Sequence, residues 1–160
     1  MSKRNGQTPW NREIALQRIR ECLTLEGALL PILHALQEEF GYIDDAAEPL
    51  IAEELNISRA EVHGVVTFYH DFRKKPAGRH VIKLCRAEAC QAAGGEELAA
   101  HAEARFGVAL GNTTADGRVT IEPVYCLGLC SVSPSAMIDG KVVARLDAKK
   151  FDGLLADVDR

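Results

Sequence analysis

The chain has 160 residues, of which 47% are hydrophobic and 26% charged, with ordinary numbers of glycines and prolines. This composition is typical of a globular protein with one domain or two small ones, and it excludes collagen, low-complexity disorder and fibrous coiled coil. A formal net charge of -4 argues against general binding to nucleic-acid phosphates, so no nucleic-acid partner is predicted.

Nothing in the sequence indicates entry into a membrane or export. The longest apolar stretches, such as residues 27–33, are far shorter than a membrane span. The first ten residues contain Lys3 and Arg4 but no apolar segment behind them, which argues against a secretory signal. We therefore expect a cytoplasmic protein without direct membrane insertion. In that setting, five cysteines indicate metal or redox chemistry rather than structural disulfides.

The first half of the sequence predicts a loose arm over residues 1–12 and a helical bundle over residues 13–76. Four helices are indicated by apolar residues at three-to-four spacing. These residues are Leu16, Ile19 and Leu23; Leu29, Leu33, Leu36 and Phe40; Leu50, Ile51 and Leu55; and Val62, Val65, Val66, Tyr69 and Phe72. Gly41 is expected to end the second helix, and Ser58 with Glu61 is expected to form a capping box before the fourth.

The pattern changes near residues 73–79, and residues 77–160 are predicted to form a second domain of mixed helices and strands. The expected strands are residues 80–84, 118–122, 136–138 and 141–143. Asp139 and Gly140 predict a hairpin turn between the last two, because both tolerate positive φ. Two helices are indicated by Leu98, Ala102 and Phe106, and by Phe151, Leu154, Leu155 and Val158 after the N-cap Asp147. The order β-α-β-β-β-α predicts an α+β fold whose sheet is covered by two helices.

Four of the five cysteines form two closely spaced pairs in this second domain. Cys85 and Cys90 are separated by four residues, Cys126 and Cys130 by three, and 35 residues lie between the pairs. Each pair follows a predicted strand, so the four thiols can converge at one edge of the sheet. Four thiolates in one place repel each other strongly unless a metal neutralises them.

The spacing of these cysteines favours an iron–sulfur cluster over zinc. Structural zinc sites usually use the tighter C-x2-C element, whereas C-x4-C occurs in plant-type [2Fe-2S] ferredoxins. A two-iron cluster needs two thiolates per iron, which two separated pairs supply. The sequence therefore predicts one [2Fe-2S] cluster bound by Cys85, Cys90, Cys126 and Cys130. Zinc, or buried thiols that only fill space, are the alternatives.

The sequence around the cysteines resembles a known family. Residues 112–118 (NTTADGR) and 125–131 (YCLGLCS), together with the two cysteine pairs, resemble the thioredoxin-like [2Fe-2S] ferredoxins. This family includes the 24-kDa, E-type subunit of respiratory complex I. Residues 66–69 (VTFY) and the helical region before them resemble its N-terminal domain. The resemblance implies a thioredoxin-like α/β ferredoxin domain after the helical bundle, in which the first cysteine pair binds one iron and the second pair the other.

Within this family, residues 85–91 (CRAEACQ) and 133–137 (SPSAM) most resemble the gamma subunit of NAD-dependent, molybdenum-containing formate dehydrogenase. The complex I subunit more often has Gly and a hydroxyl residue between the first two cysteines. The resemblance implies two partners: a beta subunit that carries FMN and binds NAD, and an alpha subunit that carries the molybdenum cofactor. The alternatives are the E-type subunit of NADH:quinone oxidoreductase and the matching subunit of an NAD-reducing hydrogenase.

No catalytic motif accompanies the cysteines. The sequence has no Gly-x-Gly-x-x-Gly, no Gly-Lys-Ser/Thr and no nucleophile elbow, so it predicts a one-electron relay whose catalytic chemistry lies on partner chains. Cys22 is expected to be a structural thiol. The histidines His34, His63, His70, His80 and His101 are expected to lie at the surface or pack against helices. Lys83 and Arg86 either offset the negative charge of a cluster or are simply solvated.

A second class of function is suggested by residues 51–62 (IAEELNISRAEV), which fit a helix-turn-helix. The corresponding hypothesis is a DNA-binding regulator with an iron–sulfur sensor. Arg59 is the one firm cation in the first turns of the recognition helix, and the whole chain is acidic. Because groove binding needs several phosphate contacts, this hypothesis is the weaker one.

Overall fold

The first half of the chain is helical and the second half contains a sheet with flanking helices in the computed structural model, which describes residues 8–155 and 158. The chain divides into two units, Met1–Pro76 and Ala77–Arg160. Each unit has its own cluster of buried apolar side chains. The α+β fold class predicted from the order of elements is confirmed.

From residue 8 onward, the first unit contains four helices: α1 (Arg12–Cys22), α2 (Leu29–Phe40), α3 (Ala47–Leu55) and α4 (Arg59–Phe68). Gly41 ends α2 with φ 82°, a left-handed conformation that glycine adopts without a Cβ clash. Ser58 and Glu61 form the predicted capping box, in which each side chain accepts a hydrogen bond from the other residue's backbone N–H. Tyr69 has extended backbone angles, so the helix ends before Tyr69 and Phe72, which were predicted to continue its apolar stripe.

The buried core of this unit follows the predicted helix faces. Its fully buried side chains are Ala15, Ile19, Ile32, Leu33, Leu36, Ile43, Ala47, Ile51 and Val62. Trp10 packs on Phe40 with ring centroids 5.0 Å apart, and the Thr8 N–H donates a hydrogen bond of 2.9 Å to the Glu39 carbonyl. Thr8 and Trp10 of the predicted arm are therefore held against α2 rather than loose, and Arg12 is already the first residue of α1. Residues 1–7 of that arm lie outside the described residues.

A five-stranded sheet forms the centre of the second unit. Its strands are β1 (His80–Cys85), β2 (Asn112–Thr113), β3 (Val119–Val124), β4 (Ser135–Ile138) and β5 (Lys141–Ala144), in the spatial order β2-β3-β1-β4-β5. β1 and β3 are parallel, and the other three pairs are antiparallel. The two-residue strand β2 was not predicted, since a segment of that length has no periodicity to detect.

Among the described residues of this unit there are three α-helices, α5 (Glu88–Cys90), α6 (Glu96–Phe106) and α7 (Ala148–Leu154), and a short 3-10 helix at Cys130–Val132. Residues 91–95 form a kinked turn between α5 and α6. The core packed between sheet and helices includes Ile82, Leu84, Leu98, Ala102, Val119, Ile121, Ala136, Phe151 and Leu155. Leu154, predicted to share the buried face of α7, is 40% exposed. In the described part of the chain, no helix has the length and apolarity needed to cross a bilayer.

Candidate metal centre

The two cysteine pairs meet at one edge of the sheet. Cys85 is the last residue of β1, and Cys90 ends the short helix α5 that follows it. Cys126 lies in the loop after β3, and Cys130 begins the short 3-10 helix that follows this loop. Because β1 and β3 are parallel neighbours, with Cys85 opposite Val124, the segments after both strands leave the sheet at the same edge. The strand pairing therefore brings together residues that are far apart in the sequence.

The first pair, Cys85 and Cys90, is called the buried pair because its members are 4% and 1% exposed. Burial by itself raises the pKa of the Cys85 thiol. Hydrogen bonds to the Cys85 sulfur outweigh burial and leave this pKa below its ordinary value. The groups that make these hydrogen bonds are the backbone N–H of Ala87, the Cys90 side chain, the backbone N–H of Leu127 and the Ser135 hydroxyl. These donors favour the thiolate, which is the form that binds metal.

The second pair, Cys126 and Cys130, is called the exposed pair, and its sulfur atoms lie 3.7 Å apart. The hydrogen bond and the negative charge of Cys126 raise the pKa of Cys130. Burial and the charges of the buried pair raise this pKa further. The other three cysteines therefore all act electrostatically on Cys130. A cation or metal cluster bound among them would relieve this repulsion.

Tight backbone geometry shapes both cysteine segments. Cys126 has φ 127° and Gly128 has φ 76°, and the Gly128 N–H donates a hydrogen bond of 3.3 Å to the Cys126 sulfur. A positive φ is costly for a non-glycine residue and is concentrated at functional sites. In the other segment, a Cβ on Gly95 would lie only 2.5 Å from the Cys90 carbonyl oxygen, so glycine is required for this close approach.

The four thiols are arranged as two pairs, which is the arrangement that a two-iron cluster requires. A structural zinc site needs four ligands around one ion, whereas a [2Fe-2S] cluster takes two thiolates per iron. Two separate thiol pairs, each with hydrogen-bond donors to sulfur, satisfy the second requirement.

The two cations beside the first cysteine are both engaged with carboxylates. Arg86 Nη2 donates to the two carboxylate oxygens of Glu96 at 2.7 and 2.6 Å. Lys83 Nζ lies 3.9 Å from a carboxylate oxygen of Glu122. Each carboxylate offsets much of the positive charge of its partner, which favours the interpretation of these residues as ordinary ion pairs.

The remaining sequence candidates occupy structural positions. Cys22 is half-buried and packs against the core of the first unit, as expected of a structural thiol. Four histidines have partners other than the cysteines: His34 packs on Phe72, and His63, His80 and His101 pair with Glu48, Asp139 and Asp152. On α4, Arg59 is the only Lys or Arg, so this helix does not supply the several phosphate contacts that DNA binding requires.

Three residues of the site were not predicted to act on the cysteines, although Gly128 and Ser135 lie in the stretches that carry the family resemblance. Ser135 lies 3.5 Å from the Cys90 sulfur through its Oγ, Gly128 donates to Cys126, and Gly95 makes room for the Cys90 carbonyl. Two of these residues have a signal in the sequence, because glycines mark tight backbone turns. Gly128 lies between Cys126 and Cys130, and the Gly94-Gly95 dipeptide follows Cys90. Ser135 lies in the stretch 133–137 (SPSAM), but its contact with the Cys90 sulfur depends on strand pairing, which a local signal does not reveal.

The fold and the cysteine site define a class of protein, and the chain belongs to the thioredoxin-like [2Fe-2S] ferredoxin family, whose family model matches residues 15–159. The E-type subunit of the NADH-quinone oxidoreductase of Pseudomonas aeruginosa is 41% identical over 113 residues, covering 71% of this chain and 68% of that protein. The NADP-reducing hydrogenase subunit HndA of Solidesulfovibrio fructosivorans is 30% identical over 149 residues, covering 93% of this chain and 86% of that protein.

A solved structure shows the same fold within a larger chain. The NAD+-reducing [NiFe]-hydrogenase in its H2-reduced state aligns with a TM-score of 0.70 and 29% identity, covering 82% of this chain. This chain spans only 22% of that hydrogenase chain. The predicted family and the thioredoxin-like fold are confirmed. The chain is therefore an electron-transfer protein of the [2Fe-2S] type, similar to subunits of NAD(P)-linked oxidoreductases.

Proposed function

We propose that this chain is the [2Fe-2S] electron-transfer subunit, gamma, of an NAD-dependent formate dehydrogenase, and that Cys85, Cys90, Cys126 and Cys130 bind its cluster. The observation that carries the proposal is the convergence of a buried and an exposed thiol pair at one edge of the sheet. When bound, a four-thiolate [2Fe-2S] cluster exchanges one electron at a time. By the family resemblance, the buried pair binds one iron and the exposed pair the other.

The protein contributes hydrogen bonds, shielding and an open face to this site. Backbone N–H groups and the Ser135 hydroxyl stabilise negative charge on sulfur at the buried pair. At the exposed pair the sulfurs lie at the surface, where a partner protein can approach closely. Tyr125, next to Cys126, is 76% exposed and offers that partner an aromatic contact.

The partners that we propose carry the remaining cofactors. The sequence has no nucleotide-binding motif, so a beta subunit is expected to bind both NAD and FMN. The FMN converts the electron pair of a hydride into single electrons. An alpha subunit is expected to hold the molybdenum cofactor. The relatives named as subunits of NADH-quinone oxidoreductase and NADP-reducing hydrogenase support an NAD(P)-linked complex. We further propose that residues 13–76 dock this complex and that residues 77–160 hold the cluster.

The choice of formate dehydrogenase rests on residues 85–91 and 133–137, which resemble its gamma subunit. A second candidate is the E-type subunit of NADH:quinone oxidoreductase or of an NAD-reducing hydrogenase. That candidate is supported by the 41% identity to the protein of Pseudomonas aeruginosa and by the likeness to the hydrogenase structure.

The test begins with the cluster itself. The chain, purified without oxygen, is expected to contain about two iron and two acid-labile sulfide per molecule, with an electron paramagnetic resonance signal only after reduction. Serine in place of any of Cys85, Cys90, Cys126 or Cys130 should abolish or change this cluster. Cys22→Ser is the matched control and should retain it. Stoichiometric zinc without sulfide would overturn the proposal.

The complex is tested separately. The isolated chain is expected to stay oxidised when mixed with NADH and to become reduced once the flavin-bearing subunit is added. Formate should reduce NAD only with the full complex, whose subunits are identified by mass spectrometry after purification with their native partners. A native complex that passes electrons from NADH to quinone, or from hydrogen to NAD, and ignores formate would favour the second candidate.

A further inference from the structure

We infer that Ser135 is a positioning residue for the metal centre, whose hydroxyl donates to the sulfurs of the buried pair and makes the bound cluster easier to reduce. The inference rests on the proposed function, because it concerns the cluster that these cysteines are proposed to bind. It goes beyond that function, because it assigns to one side chain the control of how readily the centre accepts an electron.

The position of Ser135 follows from the pairing of β4 with β1. The two strands are antiparallel, and Leu84 lies opposite Ala136, so Ser135 falls beside Cys85 at the edge of the sheet. Ser135 is 1% exposed, and its Oγ lies 3.5 Å from the Cys90 sulfur, within hydrogen-bonding distance of sulfur. The same side chain also helps to lower the pKa of the Cys85 thiol. A buried hydroxyl is costly unless it is hydrogen-bonded, and the partners that this one reaches are the sulfurs of the buried pair.

The effect on reduction follows from charge. Adding an electron makes a thiolate-bound cluster more negative, and a hydrogen-bond donor to sulfur stabilises the more negative state. The effect is enlarged in a buried site, where water screens poorly. The Ala87 and Leu127 donors are backbone N–H groups, which a side-chain substitution leaves in place. Ser135 is thus a side-chain donor whose removal leaves the neighbouring backbone donors present.

The experiment compares Ser135→Ala with the full-length wild-type chain in a redox titration without oxygen, followed by visible absorption and electron paramagnetic resonance. We expect the equilibrium constant for reduction to fall about tenfold, which is 59 mV for a one-electron couple. Ser133→Ala is the matched control: its hydroxyl lies two residues earlier and donates 2.7 Å to the Cys130 carbonyl oxygen instead of to a sulfur. This control should keep the wild-type potential.

A second pair of variants protects the test against a packing defect. Ser135→Thr and Ser135→Val have nearly the same shape, and only the first keeps a hydroxyl. The threonine variant is expected to have the higher potential of the two, by about the same tenfold factor. If Ser135→Ala does not retain its cluster, the reduction potentials of Ser135→Thr and Ser135→Val decide instead, and equal potentials in these two variants would overturn the role of Ser135.

Iron and sulfide content separates failure of this inference from failure of the proposed function. Equal potentials for Ser135→Ala and wild type, with about two iron and two sulfide per chain in both, would overturn the role of Ser135 alone. An equal drop in Ser133→Ala would also overturn it, because that result would show a general effect of the loop. A wild-type chain that holds zinc without sulfide would instead overturn the proposed function.

Discussion

Replacing Gly95 by alanine is expected to displace the backbone of Cys90 and to weaken cluster binding. Gly95 ends the kinked turn between α5 and α6. A Cβ atom at this position would lie 2.5 Å from the Cys90 carbonyl oxygen and 2.8 Å from the carbonyl carbon. Ordinary contacts of this kind are 3.4 Å or longer, so the two segments must separate by about 0.9 Å. The obstacle is backbone, which cannot rotate away as a flexible side chain can.

The magnitude follows from this displacement. Overpacking of a tightly packed region typically costs about 1–3 kcal/mol of the free energy of unfolding. Binding constellations tolerate displacements of about 0.5 Å, which is less than this substitution requires. Gly153→Ala in α7 is the matched control, because its Cβ would meet nothing within 4 Å. There alanine should raise the free energy of unfolding by up to about 1 kcal/mol, since glycine loses more backbone entropy in a helix.

The assay measures iron and sulfide per chain and urea unfolding for wild type, Gly95→Ala and Gly153→Ala. We expect Gly95→Ala alone to lose both cluster content and stability. Cluster content and a free energy of unfolding equal to those of wild type in Gly95→Ala would refute the reasoning, because the Cys90 peptide would then have room to move without consequence.

Glu48→Gln is expected to lower the free energy of unfolding by roughly 1.5–3 kcal/mol in urea, because this carboxylate is 5% exposed and lies 2.6 Å from Lys74 Nζ. Burial raises the pKa of Glu48, but hydrogen bonds from Lys74 and His63 outweigh it and leave this pKa below its ordinary value. The stabilisation is therefore present above the ordinary glutamate pKa and is lost as pH falls through the lowered value. If the free energy of unfolding of Glu48→Gln fell equally steeply in acid, this explanation would be contradicted. After cluster removal, oxidised glutathione should form a disulfide in the exposed pair before it forms one in the buried pair, because the sulfurs of the exposed pair are accessible and 3.7 Å apart. Peptide mass spectrometry identifies which disulfide has formed. A chain of residues 77–160 should fold and take up iron, because this unit has its own buried core. Circular dichroism and iron analysis check this expectation. An unfolded product would show that the helices of the first unit are needed for folding.

Local sequence signals account for most of the secondary structure. Gly41 and the Ser58–Glu61 capping box mark helix ends because they satisfy backbone groups within a few residues of themselves. The Asp139-Gly140 turn is equally local, with φ 48° and 80° in the hairpin between β4 and β5. The same holds for the chemistry of the site, since the type and spacing of four cysteines identified a candidate iron–sulfur centre.

Local signals failed where the outcome depended on residues far away in the chain. The exposure of Leu154 and the end of α4 before Tyr69 were missed, because an apolar side chain on a helical period does not reveal what packs against it. The strand β2 was missed because its two residues take their conformation from pairing with β3.

The sequence by itself determined which residues can bind a metal, while the tertiary structure decided how they are arranged. The parallel pairing of β1 with β3 brings the two cysteine pairs to one edge, and the antiparallel pairing of β4 with β1 brings Ser135 to the buried pair. Neither pairing is encoded in the period of a single strand, because a strand's alternation is the same whichever neighbour it has. The difference between a buried and an exposed pair likewise arises only when the sheet and its helices pack together.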